Sequence, residues 1–238
     1  MTSRLWAISN NGLFKYIAVT KHQQNDVLNV MQNCFFKEEH ISRIIGLNKA
    51  PEAIKELDEM VLDVAKDGVS LIATEEKTGK VAAVMLSKIM IRQEAPKGYF
   101  NKTFNLNHPL AKQFDSINAK IDSSLDCYEL LKTSCYCEIM FGAVYPEFRR
   151  QNLLSELLKQ SIKILQCLKD GENVRVAFIG NEKPRDDKPT GITAICTTPI
   201  SVKVLKQLGF RIAKTIQFGD SLGTVPLAPI PIMYKFLK

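Results

Sequence analysis

Residues 144–158, VYPEFRRQNLLSELL, carry an apolar run through a polar turn into a segment whose leucines recur three and four apart. That pattern is a strand feeding a helix. The turn holds Arg149, Arg150, Gln151 and Asn152, followed by Leu153 and Leu154. A helix start exposes unpaired amides and the positive end of the helix dipole, and together these can hold a pyrophosphate. Arginine would add direct charge. Such cradles favour glycine, because the anion must come close to the backbone, and this turn has none. Asn152 is among the side chains that tolerate left-handed backbone angles, whereas Leu154 would crowd a phosphate. Two readings stand: an anion cradle in which charge replaces glycine's room, or an ordinary strand–helix turn with a solvated arginine pair.

Three other stretches offer polar groups. KEEHIS (37–42) sets Glu38, Glu39 and His40 side by side. A carboxylate there could take up a proton directly or through water, or could be a helix-start acid favoured by the dipole; His40 is a further base or an inert surface group. CTTPIS (196–201) holds Thr197 and Ser201 four apart at the entry to a short helix, where Ser and Thr commonly act as caps. Gly142 interrupts the apolar SCYCEIMFGAVY (134–145), which marks a bulge, a close ligand approach or a packing accommodation.

Elements that would position these groups follow from periodicity. KYIAVT (15–20) reads as a first strand, and Val27, Val30, Met31, Cys34 and Phe35 recur at helical spacing. Pro51 and Gly68 bracket one amphipathic helix. Two apolar runs around EEKTGK form a β-hairpin over 69–91, and helices are expected at 109–122 and 125–133. Residues 134–145 read as a buried central strand, followed by a helix whose stripe runs from Leu153 to Leu168. NVRVAFIG (173–180) reads as another strand, 181–191 as an exposed loop, and 200–210 as a helix closed by Gly209. Two last strands follow, the second beginning as an edge because of Pro229 and Pro231. The expectation is an α/β fold with a mixed sheet of about seven strands and helices on both faces.

With 238 residues, 45% hydrophobic and 24% charged, the composition is that of an ordinary globular protein, read as one domain over 1–238. No stretch approaches the roughly 20 apolar residues of a membrane span, and the N-terminus lacks the basic-then-apolar pattern of a signal peptide. The expected location is the cytoplasm, with no membrane partner. Six cysteines scattered in apolar segments read as reduced, buried thiols. Cys135 and Cys137 share one strand face but have no His or further Cys nearby in sequence, so no metal is expected. The net charge of +7 is dispersed apart from FRRQ. That fits a basic enzyme for a phosphorylated cofactor at least as well as nucleic-acid binding; the expectation is a monomer without a nucleic-acid partner.

Four stretches in order carry a resemblance to a known family. GAVYPEFRRQNLLSELL resembles the acetyl-CoA-binding segment of the GNAT N-acetyltransferase superfamily, and more narrowly that of the insect arylalkylamine N-acetyltransferases. CFFKEEHIS resembles their substrate segment, DGVSLIATEEKTGKVAAVML their second and third strands, and AICTTPISVKVLKQLGF their Ser/Thr-rich turn. The resemblance implies a single GNAT domain that transfers acetyl from acetyl-CoA to a small primary amine, an arylalkylamine, by direct attack in a ternary complex. It implies Glu39 as the base and Thr197 and Ser201 as groups that protonate or stabilise the coenzyme A thiolate. It places the cofactor on Gly142, Ala143, Val144 and the segment Arg149 to Leu154, with an amide of the central strand meeting the oxyanion. The chain departs from the family at Asn152 and Leu154, at His40 in place of a proline, and in lacking a C-terminal histidine. Those departures favour an alternative: a catalytically impaired or divergent acyl-CoA-binding protein with another acyl donor or acceptor.

Overall fold

A computed structural model of the chain describes residues 3–102, 104–179, 186–218 and 228–238. Its strands are β1 (Leu5–Ile8), β2 (Phe14–Ala18), β3 (Leu71–Glu75), β4 (Val81–Ile91), β5 (Cys135–Val144), β6 (Gly191–Ile195), β7 (Arg211–Ile216) and β8 (Ile230–Phe236). They form one eight-stranded sheet in the order β1-β2-β3-β4-β5-β6-β8-β7. β5 and β6 run parallel and every other neighbouring pair is antiparallel. The hairpin of β3 and β4 and the apolar β5 form where their sequences predict.

The helices are α1 (Gln24–Val30), α2 (Phe36–Glu38), α3 (His40–Ile44), α4 (Pro51–Glu56), α5 (Asp58–Ala65), α6 (Pro109–Asp122), α7 (Cys127–Leu131), α8 (Leu153–Lys169) and α9 (Pro199–Gln207). A π-helical turn, Met31–Phe35, joins α1 to α2. Helices α1 to α7 cover one face of the sheet, where Tyr136, Phe141 and Ala143 of β5 pack with Phe36 and Phe114. α8 and α9 cover the other, where Cys135, Cys137 and Ile139 pack with Leu153, Leu157 and Leu205. No described helix is long and apolar enough to cross a membrane.

Four expectations change. The sheet gains β1, which is four residues long and half exposed and so has no clear apolar alternation. The stretch from residue 173 is not a strand in its described part: Val176 N–H donates to Gly68 O at 3.0 Å, and Phe178 O accepts Lys21 N–H at 2.8 Å. Its backbone groups are thus used on loops, and the place beside β5 goes to β6, whose GITAI sequence lies at the end of the predicted loop. β8 is not at the edge either, since it lies between β6 and β7. Pro231 sits where the β6 ladder ends, and its carbonyl accepts Cys196 N–H at 2.9 Å. The single helix predicted over 51–68 is also divided, at the buried Leu57.

The feature that makes the site is a fault in β5. Leu86 faces Phe141 while Ser87 faces Ile139, so Met140 is an extra residue in β5. Such a bulge inverts the alternation of side chains. Glu138 therefore shares a face with Phe141 and Ala143, and Gly142 and Val144 point to the α8 side. β5 pairs with β6 only through Cys137, Glu138 and Ile139. Beyond these, the two parallel strands separate at their carboxyl ends, the usual place for a ligand in an open α/β sheet.

Candidate active site in the gap between the parallel strands

The gap opens into a cavity of about 630 Å³ that passes through the sheet. Gly142, Leu154 and Cys196 line it on the α8 side, and Phe114, Glu138 and Phe141 on the other. Every predicted site residue borders it except Gln151: Glu39, Gly142, Ala143, Val144, Arg149, Arg150, Asn152, Leu153, Leu154, Thr197 and Ser201 converge there from four separate segments.

The glycine-free turn keeps the backbone a glycine would allow. Asn152 adopts φ +58° and ψ +17° as the residue before α8, and Arg150 adopts φ +62°. Asparagine takes this conformation at modest cost. Its side chain caps nothing, so the first amides of α8 stay available to an anion. Arg149 borders the cavity and also makes contacts within the protein. One terminal nitrogen donates to both carboxylate oxygens of Glu38 at 2.7 Å, and Nε donates to Val144 O at 3.3 Å. It ties the turn to the end of α2. Arg150 makes no ion pair among the described residues.

Leu154 packs against the strand. A Cβ placed on Gly142 would lie 3.0 Å from Leu154 Cδ1 and 3.2 Å from Met85 Cε. The small residue missing from the turn has its counterpart in β5, and Gly142 makes room for Leu154 while the bulge lies two residues earlier.

Glu39 ends α2 and caps α3 with φ −61° and ψ 140°. It is only 6% exposed. Oε1 accepts the Ile41 amide at 2.9 Å; Oε2 accepts the Ser42 amide at 2.7 Å and the Ser42 hydroxyl at 2.9 Å. A carboxylate offers about four acceptor positions. Three are used, and Glu39 is among the residues that border the cavity. His40 begins α3, and its Nε2 accepts the Ala228 amide at 3.3 Å. At the other side of the gap, Thr198 rather than Thr197 caps α9, accepting the Ser201 amide at 3.2 Å. Ser201 Oγ donates to Thr198 O at 2.7 Å. Both predicted hydroxyls thus border the cavity, and Thr197 is left free of the cap.

No protein-family model matches the sequence, and no curated protein matches it. Solved structures do match. Arylalkylamine N-acetyltransferase 2 from Aedes aegypti superposes with a TM-score of 0.73 over 94% of this chain and 99% of that one, at 19% identity. A putative arylalkylamine N-acetyltransferase 7 from the same mosquito gives 0.77 over 100% and 97%, at 14% identity. The chain has a GNAT acetyltransferase fold. A Drosophila melanogaster polyamine N-acetyltransferase shares it as well, with a TM-score of 0.71 over 94% and 100% at 14% identity.

Within this GNAT fold, several bordering residues carry no local signal in the sequence. Phe35, Phe100, Phe114 and Phe141 line the chamber on the α1–α7 side. Phe35 and Phe141 meet edge to face at 5.2 Å. Their sequence signal is that of core residues, and only the bulge turns Phe141 toward Phe35. Glu138 was hidden in the same way, as one acid in an apolar strand. All six cysteines are free, and burial pushes the thiols of Cys34 and Cys196 up to about 11. A thiol held there is protonated near neutrality and a poor nucleophile. Among the described residues, no cluster of three or more His, Cys, Asp or Glu side chains could hold a metal ion.

Proposed function

We propose that the protein is an N-acetyltransferase that moves acetyl from acetyl-CoA to a small primary amine, an arylalkylamine in the simplest case. The observation that carries this reading is the cavity through the sheet. It has the uncapped start of α8 on one side, and an aromatic chamber with Glu39 on the other. The fold shared with acetyltransferases of arylalkylamines and polyamines supports the same assignment.

In this reading the α8 amides, the Arg150 side chain and the left-handed backbone at Arg150 and Asn152 hold the pyrophosphate. Unpaired backbone groups of β5 beyond the bulge meet the developing oxyanion. An amine reaches the site as ammonium, with a solution pKa of roughly 10. Glu39 takes one proton from it through its remaining acceptor position, directly or by a water. The neutral nitrogen then attacks the thioester carbon, and its second proton goes to the departing thiolate, with Ser201 or Thr197 as donor on that side. The phenylalanines exclude water and face the body of the acceptor.

Thiol release from acetyl-CoA across tyramine, dopamine, serotonin, tryptamine, polyamines and amino acids tests the assignment. Turnover with at least one amine is expected. Silence with a folded protein that binds acetyl-CoA would favour the alternative, a GNAT-fold acyl-CoA binder with another donor or acceptor. The crowding by Leu154 has its own test. Asn152→Gly with Leu154→Ala should tighten acetyl-CoA binding roughly threefold to tenfold, about 1 kcal/mol, read by calorimetry. An unchanged Kd would mean that Leu154 does not stand in the cofactor's path.

A further inference from the structure

Helix α6 turns one face to the core, and its buried residues are Ala111, Phe114, Ile117, Asn118 and Ile121. Asn118 is the polar one among them. Asparagine is a weak helix former that favours caps and turns, and a buried amide costs free energy wherever one of its ends lacks a partner. Packing and propensity would both favour leucine at 118. A residue that breaks two local rules at once points to a use outside the fold.

Asn118 is 6% exposed and borders the cavity through the sheet, as Phe100, Phe114 and Phe141 do. Its Nδ2 donates to Phe114 O, one turn back, at 2.8 Å. A backbone carbonyl only accepts, so the atom that faces it is the nitrogen, and this bond fixes which way round the amide sits. Oδ1 is left with no hydrogen bond among the described residues. The result is an acceptor oxygen held in a set orientation by its own helix, on a side chain that borders an aromatic chamber.

We propose that Asn118 holds the reacting nitrogen of the acceptor: Oδ1 accepts one N–H of the amine while Glu39 takes the proton of another. The identity of the guest rests on the acetyl-transfer reading. The amine is the one donor that every acceptor of that class brings, whereas ring hydroxyls are optional. Entering a chamber of phenylalanines, an ammonium gives up water on all three of its N–H groups, and each bond that the site returns offsets part of that loss. Glu39 at the start of α3 and Asn118 within α6 hold the nitrogen from two separate elements. That limits its rotation before it attacks the thioester. The bond to Phe114 keeps Oδ1 placed before the guest arrives, so little is lost in ordering it.

Two substitutions separate this role from a structural one. Asn118→Leu is close in volume and removes both ends of the amide. Asn118→Ser lets a hydroxyl bond the carbonyl four residues back, as serine does within helices, while withdrawing the oxygen from the chamber. Both should lower kcat/KM for phenethylamine by about tenfold to a hundredfold, the loss of one hydrogen bond to a charged group, with acetyl-CoA affinity unchanged. Calorimetry on the protein loaded with coenzyme A supplies a reading without turnover. The parent should bind phenethylamine at least about tenfold more tightly than N,N-dimethylphenethylamine, which has one N–H to share, and in Asn118→Leu that ratio should shrink by at least about threefold. Parent-like kcat/KM in Asn118→Ser would overturn the proposal and leave Asn118 a residue of the helix alone. A loss seen with tyramine but absent with phenethylamine would also overturn it, because the oxygen would then read the ring. If no amine is turned over but the binding ratios change as stated, Asn118 keeps its role and the acetyl-transfer reading falls.

Discussion

Glu39→Gln should lower kcat/KM for the acceptor amine by roughly 10²–10⁴-fold, the usual contribution of a positioned general base, with acetyl-CoA affinity unchanged. The substitution preserves shape but removes the ability to accept a proton. It also disturbs the cap, because glutamine has one acceptor oxygen where Glu39 uses two, on the Ile41 and Ser42 amides. That structural loss should cost about 1 kcal/mol of stability and be visible as a small drop in Tm. The two effects separate cleanly. Glu39→Asp retains a carboxylate for the cap and should keep more activity than Gln at a similar Tm. If Glu39→Gln were to stay within threefold of the parent while shifting Tm, Glu39 would be a cap and nothing more. His40 is a poor substitute base, since its Nε2 already accepts the Ala228 amide.

Gly68→Ala should destabilise the protein by about 3 kcal/mol or more. Gly68 follows α5 with φ +73°, which an alanine adopts only under strain. A Cβ there would also meet Val176 O at 2.6 Å and Val176 N at 3.2 Å. These are backbone atoms that cannot rotate away, and the Val176 amide is itself bound to Gly68 O. For a chain of this size the loss corresponds to a fall in Tm of roughly 6–12 °C. A scan showing a change below 2 °C would mean that the 173–179 segment yields easily, and that its contact with Gly68 contributes little to the fold.

The Gly68 contact also explains what was illegible in the sequence. VRVAF has the β-branched, alternating look of a strand, yet its amides and carbonyls bond to loops, and the plainer GITAI joins the sheet. Local pattern reports which residues suit a half-buried extended chain; it does not report which partner edge is free. The same limit applies to Pro229 and Pro231, whose strand lies inside the sheet because β7 returns outside it. Helices α6 and α8 match their predictions because amphipathic periodicity over three or more turns is a local property.

The sequence by itself determined the elements that carry the candidate site: the β5–α8 passage, the left-handed tolerance of Asn152, the acid pair at 38 and 39, and the hydroxyls before α9. Each depends on residue type and short-range spacing, so each is readable one segment at a time. Only the tertiary structure decided how they are used. Arg149 pairs with Glu38, a residue 111 positions away, at 2.7 Å while still bordering the cavity. Thr198 took the cap that Thr197 and Ser201 shared on paper. One extra residue, Met140, put Phe141 on the face of β5 that carries Glu138 and turned Gly142 to the α8 side. A bulge is a matter of register between neighbouring strands, and register exists only once both strands are in place.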